Sequence, residues 1–407
     1  MNLINPNQKC LLDSLANMLF NKKFEISDLV DINEVVAEAK SQSVISYVYP
    51  VIKSHLSNDE KESLKRVNRM LTANNVRVEY EHVELDELMQ ENKIPYVILK
   101  GLVSASYYPH SELRALGDVD FLVAKDDMER AGKVLKSVGF VPTDDDEHEC
   151  HVAYHRVIAP SIPVSIWEMH WEPNGIPNRK EGDILRGYFS TILKDAQFNG
   201  RFYAPSAFHH GLILIIHTAT HLINSGVGLR HICDWAAFVS KFSDDEFCKI
   251  FEKSLKKVGL WRFAQLLTLL SVEFLGCPEK KWAGTADKDY LELMMADIFK
   301  GGNFGYKDEQ RINQAKLMTN HDKGSVDDNS LAGQLVSTMN EKARLAMPVT
   351  KKVPVLLPLG WAYAGIRHLF RIKSKERPSI DVKEMVKGAN ERKAIYKEFK
   401  LYKKDRK

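Results

Sequence analysis

The sequence predicts an α+β protein in which a short α/β core stands between helical regions. Apolar residues recur every three or four positions up to about residue 93, which is the period of a helix. Between about 94 and 200, short apolar runs bounded by glycine, lysine and proline replace this pattern, as buried strands require. The helical period returns from Ser206 onward.

This change of period divides the 407 residues into five segments, and the length suits two to three domains. The segments are an N-terminal helical region (1–93), the core (94–200), a helical domain (201–300), a loop (301–330), and C-terminal helices with a basic tail (331–407). Within the first segment, residues 66–92 predict one long charged helix.

The composition excludes several classes of protein. With 44% apolar and 27% charged residues, the chain is not mainly disordered or collagenous. Its five cysteines include no C-x-x-C pair, which excludes a disulfide scaffold and a structural zinc site of that kind. The first residues show no basic region followed by an apolar one, so we expect a cytoplasmic protein without a secretory signal.

The net charge of +3 is uneven along the chain. Residues 371–407 hold fourteen Lys and Arg against six Asp and Glu, a net of +8, which leaves −5 for residues 1–370. A nucleic-acid-binding fold would spread its basic residues over a face with interleaved aromatics. We therefore expect the tail to be a solvated helix, with weak peripheral contact to anionic membranes as a further hypothesis.

The longest uncharged stretch is residues 353–366, fourteen residues against the roughly twenty that cross a bilayer. We expect no transmembrane segment. The stretch is predicted to be a buried apolar segment, and the alternative is a shallow interfacial segment beside the tail.

Four strands are predicted in the core. Residues 95–99 and 119–123 are short apolar runs, and an amphipathic helix over 128–138 follows the second. Residues 150–158 and 163–171 alternate apolar and polar side chains around a short turn, which predicts a hairpin.

Carboxylates in these strands form the candidate site. Because side chains alternate along a strand, Asp118 and Asp120 face the same way, about 6–7 Å apart at the backbone. Glu168 lies in the hairpin, on the same strand face as His170. Clustered carboxylates repel one another, so we expect a divalent cation between them, Mg²⁺ or Mn²⁺ by preference for oxygen ligands.

Phosphate contacts are predicted beside these carboxylates. Lys100 and Gly101 follow the first strand, where glycine lets the backbone approach a ligand closely. Arg114 precedes Asp118 by four residues and could hold a triphosphate with its forked donors. Ser104 and Gly117, which neighbour these residues, complete the predicted nucleotide-binding set.

These strings resemble the uncharacterised nucleotidyltransferases of the polymerase-β-like superfamily. The similarity lies in KIPYVILKG, YYPHSELRALGDVDFLV and SIWEMHW, and further on in IIHTATH, LRHICDWAAF and GGNFG. The resemblance implies a polymerase-β-like core with Asp118, Asp120 and Glu168 as catalytic metal ligands, and Lys100, Gly101 and Arg114 as phosphate contacts. The Gly-Ser phosphate-binding turn of the wider superfamily is replaced here by Lys100-Gly101-Leu102.

The implied reaction is metal-dependent transfer of a nucleotidyl group from an NTP to a hydroxyl acceptor, with pyrophosphate released. A small molecule or sugar, as in surface-polysaccharide or secondary-metabolite biosynthesis, is favoured over protein or RNA as acceptor. Two alternatives stay open: a degenerate nucleotide-binding or regulatory module, and a phosphotransferase that uses the γ-phosphate.

Histidines of the helical domain form a separate pattern. His217 and His221 are one helical turn apart, a spacing that zinc ligands use, but the glutamate of H-E-x-x-H is absent. We therefore expect no bound zinc, and interpret these two residues, with His170, as possible substrate-facing side chains. Arg230 and Asp234, four residues apart, are predicted to pair with each other.

Overall fold

The computed structural model of the chain describes residues 3–143, 150–159, 163–308 and 382–403, and short stretches between 310 and 363. The main described helices are α1 (Pro6–Phe20), α2 (Ile32–Ser41), α3 (Ile45–Ile52), α4 (Asn58–Glu91), α5 (Leu102–Ala105), α6 (Met128–Ser137), α7 (Lys180–Phe189), α8 (Ala207–Asn224), α9 (Leu229–Val239), α10 (Asp244–Phe247), α11 (Lys253–Val258), α12 (Trp261–Leu275), α13 (Lys288–Gly301), α14 (Val349–Lys352) and α15 (Val382–Lys397). The described strands are β1 (Tyr96–Ile98), β2 (Val119–Val123), β3 (Val141–Pro142), β4 (His151–Arg156), β5 (Ser165–His170), β6 (Gln197–Phe198), β7 (Tyr203–Ala204), β8 (Thr319–Asn320) and β9 (Ser325–Val326).

The first five strands form one mixed sheet in the order β1-β2-β5-β4-β3. The pairs β1–β2, β5–β4 and β4–β3 are antiparallel, which confirms the predicted hairpin of β4 and β5. The central pair, β2 and β5, is parallel. Residues 48 positions apart in the chain, such as Asp120 and Glu168, therefore lie side by side in the middle of the sheet.

Each face of this sheet packs against a different set of helices. Ile98, Phe121 and Trp167 are fully buried on the face that carries α4 and α6. Val97 and Leu122 point to the opposite face, into the larger core formed by α1–α3 and the helices from α7 to α13. Two apolar faces explain why these strands are almost continuously apolar.

The long helix α4 begins at Asn58, eight residues earlier than predicted. Ser57 accepts a hydrogen bond from the Glu60 backbone N–H, and the Glu60 side chain accepts one from the Ser57 N–H. This capping box stabilises the first turn even though the residues that follow are highly charged. Further along, Glu81 is buried and accepts a hydrogen bond from the indole of Trp167 at 3.2 Å, which joins α4 to β5.

The prediction of a solvated C-terminal helix is wrong over residues 382–403. Tyr396, Phe399 and Tyr402 are at most 2% exposed and belong to the core of the helical domain. The Tyr396 hydroxyl donates to Asp297 at 2.6 Å, and the ring of Phe399 packs edge-on against Phe263. Counting charges concealed the aromatic residues at the end of this segment, which pack inward, whereas Lys387, Lys397 and Lys400 are exposed.

The apolar stretch at 353–366 also differs from the prediction over its described part. Val355 is 81% exposed, and Leu359 and Tyr363 are more than half exposed, so this part is not a buried segment. Gly360 is buried against Ala343 and Thr350, and the Trp361 indole donates a hydrogen bond to Asn340 at 3.0 Å. Among the described helices, none combines the length and apolar character needed to cross a bilayer.

Candidate active site

Carboxylates from the two central strands meet at one place in the sheet. The parallel register sets Asp120 of β2 directly opposite Glu168 of β5. One ligand atom from each of Asp120, Glu168 and His170 lies within 4.8 Å of the others. The core side chains on either side of Asp120, Val119 and Phe121, are fully buried, which holds the carboxylate on the opposite side of the strand.

Asp118 lies immediately before β2 and flanks this group. Its side chain is exposed, whereas that of Asp120 is only 12% exposed. The structure therefore brings Asp120 and Glu168 into direct proximity, and sets Asp118 beside them at the open end of the strand. Gly117, which directly precedes Asp118, is also exposed, and no protein atom lies within 4 Å of the position that a side-chain Cβ would take there.

Lys100 supplies a positive charge to this site from the end of β1. Its ammonium lies 2.9 Å from Asp120 Oδ1. Gly101 then turns the chain before the four-residue helix α5. Its φ of +63° lies in the left-handed region, which residues other than glycine rarely adopt. Ser104 in that helix is buried, with its hydroxyl 3.4 Å from His210 Nε2, so it faces the interior.

His170 is a second cationic partner of the carboxylates. Its Nε2 lies 3.4 Å from both Asp120 Oδ1 and Glu168 Oε2. Burial alone would lower the pKa of His170, but contacts with Asp120, Cys150 and Glu168 outweigh burial and raise it to about 10. The imidazole is therefore protonated at pH 7 while these contacts hold.

The two aspartates carry opposite pKa shifts. Burial would raise the pKa of Asp120, but Lys100 and His170 outweigh burial and hold that pKa well below its usual range. Although Asp118 is exposed at the surface, the protein around its carboxyl partly desolvates that group, and this effect together with the negative charges of Asp120 and Glu168 raises the pKa of Asp118 to about 6. Desolvation and the like charges of Asp120 and Glu168 therefore act together on Asp118.

Arg114 does not face this group. Its guanidinium binds Asp234 of α9 through two hydrogen bonds, Nε to Oδ1 and Nη2 to Oδ2, each 2.7 Å long. Tyr108 donates a third hydrogen bond to the same carboxylate at 2.6 Å, and all three side chains are buried. The phosphate contact predicted for Arg114 would require this buried pair to open, and Asp234 is the partner of Arg114 rather than of Arg230.

The chain matches the model of an uncharacterised nucleotidyltransferase family over residues 28–276, which is more than half of its length. The chain belongs to this nucleotidyltransferase family. The match spans the sheet, the carboxylates and helices α8 and α9. Searches of curated proteins and of solved structures found no match.

Arg230 is a further candidate residue of the site. The sequence predicted for it only an ion pair with Asp234. Its guanidinium carbon lies 5.5 Å from the centre of the Phe304 ring, and the side chain is half-buried. Burial lowers the pKa of Arg230, and the charge of Asp118 is among those that act on it. An arginine therefore acts on Asp118 from α9 rather than from the loop before β2.

His231 is the second residue that sequence reasoning missed. It lies in the first turn of α9, where its ring packs against those of His217 and His221 on α8. Burial lowers the pKa of all three imidazoles, that of His221 to about 3, so they are neutral at pH 7. The sequence LRHICDW contains this third histidine, because His231 lies in the first turn of the helix that follows His217 and His221.

Proposed function

We propose that this protein transfers a nucleotidyl group from an NTP to a hydroxyl acceptor and releases pyrophosphate, using Mg²⁺ or Mn²⁺ at Asp118, Asp120 and Glu168. One observation carries the proposal: the parallel register that sets Asp120 opposite Glu168, in a chain of a nucleotidyltransferase family. Carboxylates on adjacent strands of a mixed sheet also support a polymerase-β-like core.

The carboxylates fit a divalent cation. Mg²⁺ and Mn²⁺ prefer oxygen ligands. Asp118 and Asp120, at the start of β2, and Glu168, in the neighbouring strand β5, would supply carboxylate oxygens. Asp120 and Glu168 act on Asp118 as negative charges and, together with desolvation, raise its pKa, which supports a place for a cation beside these carboxylates. Bound there, the metal would neutralise the triphosphate, lower the pKa of the acceptor hydroxyl and stabilise the leaving pyrophosphate.

Two basic residues are then available to the phosphates. Lys100 already contacts Asp120, and its ammonium would exchange part of this contact for phosphate oxygens when a nucleotide binds. Arg230 presents forked donors, the geometry that suits phosphate. We therefore assign the arginine role in the nucleotide site to Arg230, and a positioning role to Arg114, which holds α9 through Asp234.

The reaction product distinguishes this proposal from its two alternatives. The protein is incubated with Mg²⁺ or Mn²⁺, a lysate of its host, and NTPs labelled at the α or the γ phosphate. Nucleotidyl transfer predicts pyrophosphate and an acceptor that keeps the α label. A γ-phosphate transferase predicts ADP and a γ-labelled acceptor, and a binding module predicts neither product.

A matched pair of variants links the product to the site. Glu168→Gln should abolish transfer, because it removes the carboxylate opposite Asp120. Glu87→Gln makes the same change on an exposed residue of α4 and should leave transfer unchanged. Equal transfer by both variants contradicts the proposed role of Glu168.

A further inference from the structure

Three histidines from two consecutive helices converge beside the carboxylate site. His217 and His221 lie one turn apart on α8, and His231 enters from the first turn of α9. One ring nitrogen from each lies within 4.8 Å of the other two. The first two histidines alone predicted no zinc, and the third imidazole, brought in by the turn at 225–228, changes that expectation.

The arrangement of the rings matches a metal site. Ring centres are 4.3 Å apart for His217 and His221, 5.5 Å for His217 and His231, and 5.3 Å for His221 and His231. With Zn–N bonds of about 2.0–2.1 Å, three imidazoles around a tetrahedral zinc have ring centres about 5 Å apart. We propose that His217, His221 and His231 form a transition-metal site, in which zinc is bound by three nitrogens with a fourth position open.

The hydrogen bonding of the imidazoles is consistent with this role. His221 Nδ1 lies 3.4 Å from the Ser225 hydroxyl, so Nε2 is left to bind a metal. Metal-bound histidines commonly form such a hydrogen bond through their other ring nitrogen. Both ring nitrogens of His231 are buried, and neither has a hydrogen-bond partner among the described residues. A buried unpaired nitrogen is costly, and a bound metal would satisfy one of the two.

Phe304 covers the cluster with an apolar ring. Its centre lies 4.8 Å from that of His221 and 5.3 Å from that of His231. The residue is held at φ of +55°, a left-handed conformation that a bulky side chain rarely adopts and that is often found at functional sites. Gly305 fixes this loop, since a side chain there would lie 2.1 Å from the Ser225 carbonyl oxygen.

Charges of both signs surround the three imidazoles. Lys100 acts on His217 and His221, and Arg230 acts on all three imidazoles. Three neutral imidazoles leave the charge of a bound dication uncompensated, and Lys100 and Arg230 oppose it, whereas Asp120 acts on His221 and Asp234 acts on His231 in its favour. We therefore expect the fourth position to hold an anion, such as hydroxide or a phosphate oxygen.

The site is independent of the proposed nucleotidyl transfer, and metal binding tests it directly. The full chain is purified without a histidine tag, its metal is measured by mass spectrometry, and the stripped protein is titrated with Co²⁺. We expect about one zinc per chain and the visible absorption of tetrahedral Co²⁺. His231→Gln should lose both, with affinity reduced by ~100-fold or more, since outer-shell changes alone reach that value.

Three controls decide how the result is interpreted. His110→Gln, on an exposed histidine, and Asp118→Asn, at the carboxylates, should both keep the Co²⁺ spectrum. His217→Cys should retain the metal and add a thiolate-to-cobalt charge-transfer band, which a purely structural histidine would not produce. This variant tests the proposal even if His231→Gln does not fold.

Several outcomes would overturn the proposal. The proposal is wrong if wild-type protein holds no zinc and gives no Co²⁺ spectrum. It is also wrong if the Co²⁺ spectrum persists in His231→Gln. Loss of the spectrum in Asp118→Asn alone would place the metal at the carboxylates. Histidine variants that change only nucleotide binding would show that the cluster faces the substrate instead.

Discussion

The buried pair of Arg114 and Asp234 yields the sharpest stability prediction. The two side chains are 7% and 10% exposed, and two hydrogen bonds of 2.7 Å join them. Asp234→Asn keeps the shape of the side chain but removes its charge, which leaves the guanidinium buried without a counter-ion. Breaking a buried pair in this way costs about 3–5 kcal/mol of folding stability.

The chain offers a matched control for this substitution. Arg186 and Glu172 form a pair of the same geometry, with Nε to Oε2 at 2.8 Å, but their side chains are 34% and 25% exposed. Glu172→Gln should therefore cost at most about 1 kcal/mol, as exposed pairs do. The difference between the two substitutions isolates the effect of burial.

The assay is urea denaturation of wild type, Asp234→Asn, Arg114→Gln and the double variant. The double variant should lose less stability than the sum of the single variants, with a coupling of about 2 kcal/mol, because both remove the same interaction. An Arg114→Gln variant that is as stable as wild type but no longer binds NTP would refute this reasoning. It would restore Arg114 to the phosphate site that the sequence predicted.

Three further predictions follow from other parts of the structure. Phe399→Ala should destabilise the protein by about 3–5 kcal/mol in urea denaturation, because the ring is buried, whereas a solvated tail predicts almost no change. Gly305→Ala should cost about 1–3 kcal/mol in the same assay, because its methyl group would clash with the Ser225 carbonyl oxygen, and an unchanged midpoint would contradict the packing of this loop. The pKa of Asp118 is raised to about 6 in the folded protein, against about 3.9 in an unfolded chain, so the folded state binds this proton more tightly. Metal-free wild type should therefore lose stability relative to Asp118→Asn as the pH rises from 4 to 6, and parallel pH profiles would contradict the shift.

Local pattern predicted several strands of the sheet. A short apolar run located β2, and the alternation of apolar and polar side chains located the hairpin of β4 and β5 and set Glu168 and His170 on one strand face. Alternation is a property of neighbouring residues, so it survives any arrangement of the distant chain. The pairing of Asp120 with Glu168, in contrast, depends on the parallel register, which no local pattern contains.

The partners of the basic and histidine side chains could not be predicted in this way. Arg114 and Asp234 are 120 residues apart, and nothing near Arg114 in the chain indicates a buried carboxylate. The position of His231 beside His217 and His221 depends on the turn between α8 and α9, which brings the two helices together. The tail was predicted wrongly for another reason, because its charge was counted over all residues and the burial of Tyr396 and Phe399 was not considered.

The central claim is that the carboxylates bind a metal–nucleotide complex, and thermal melting of wild type and Asp118→Asn tests it most directly. Each protein is melted alone and with Mg²⁺ and an NTP that carries a methylene group between its α and β phosphates. Asp118 is exposed and its pKa is raised, so Asp118→Asn alone should melt at or above the wild-type temperature. Wild type should gain stability from the complex, about 2.7 kcal/mol at a hundredfold excess over Kd, and Asp118→Asn should lose most of that gain. If Asp118→Asn keeps the full nucleotide-dependent rise in melting temperature, the carboxylates are not the nucleotide site.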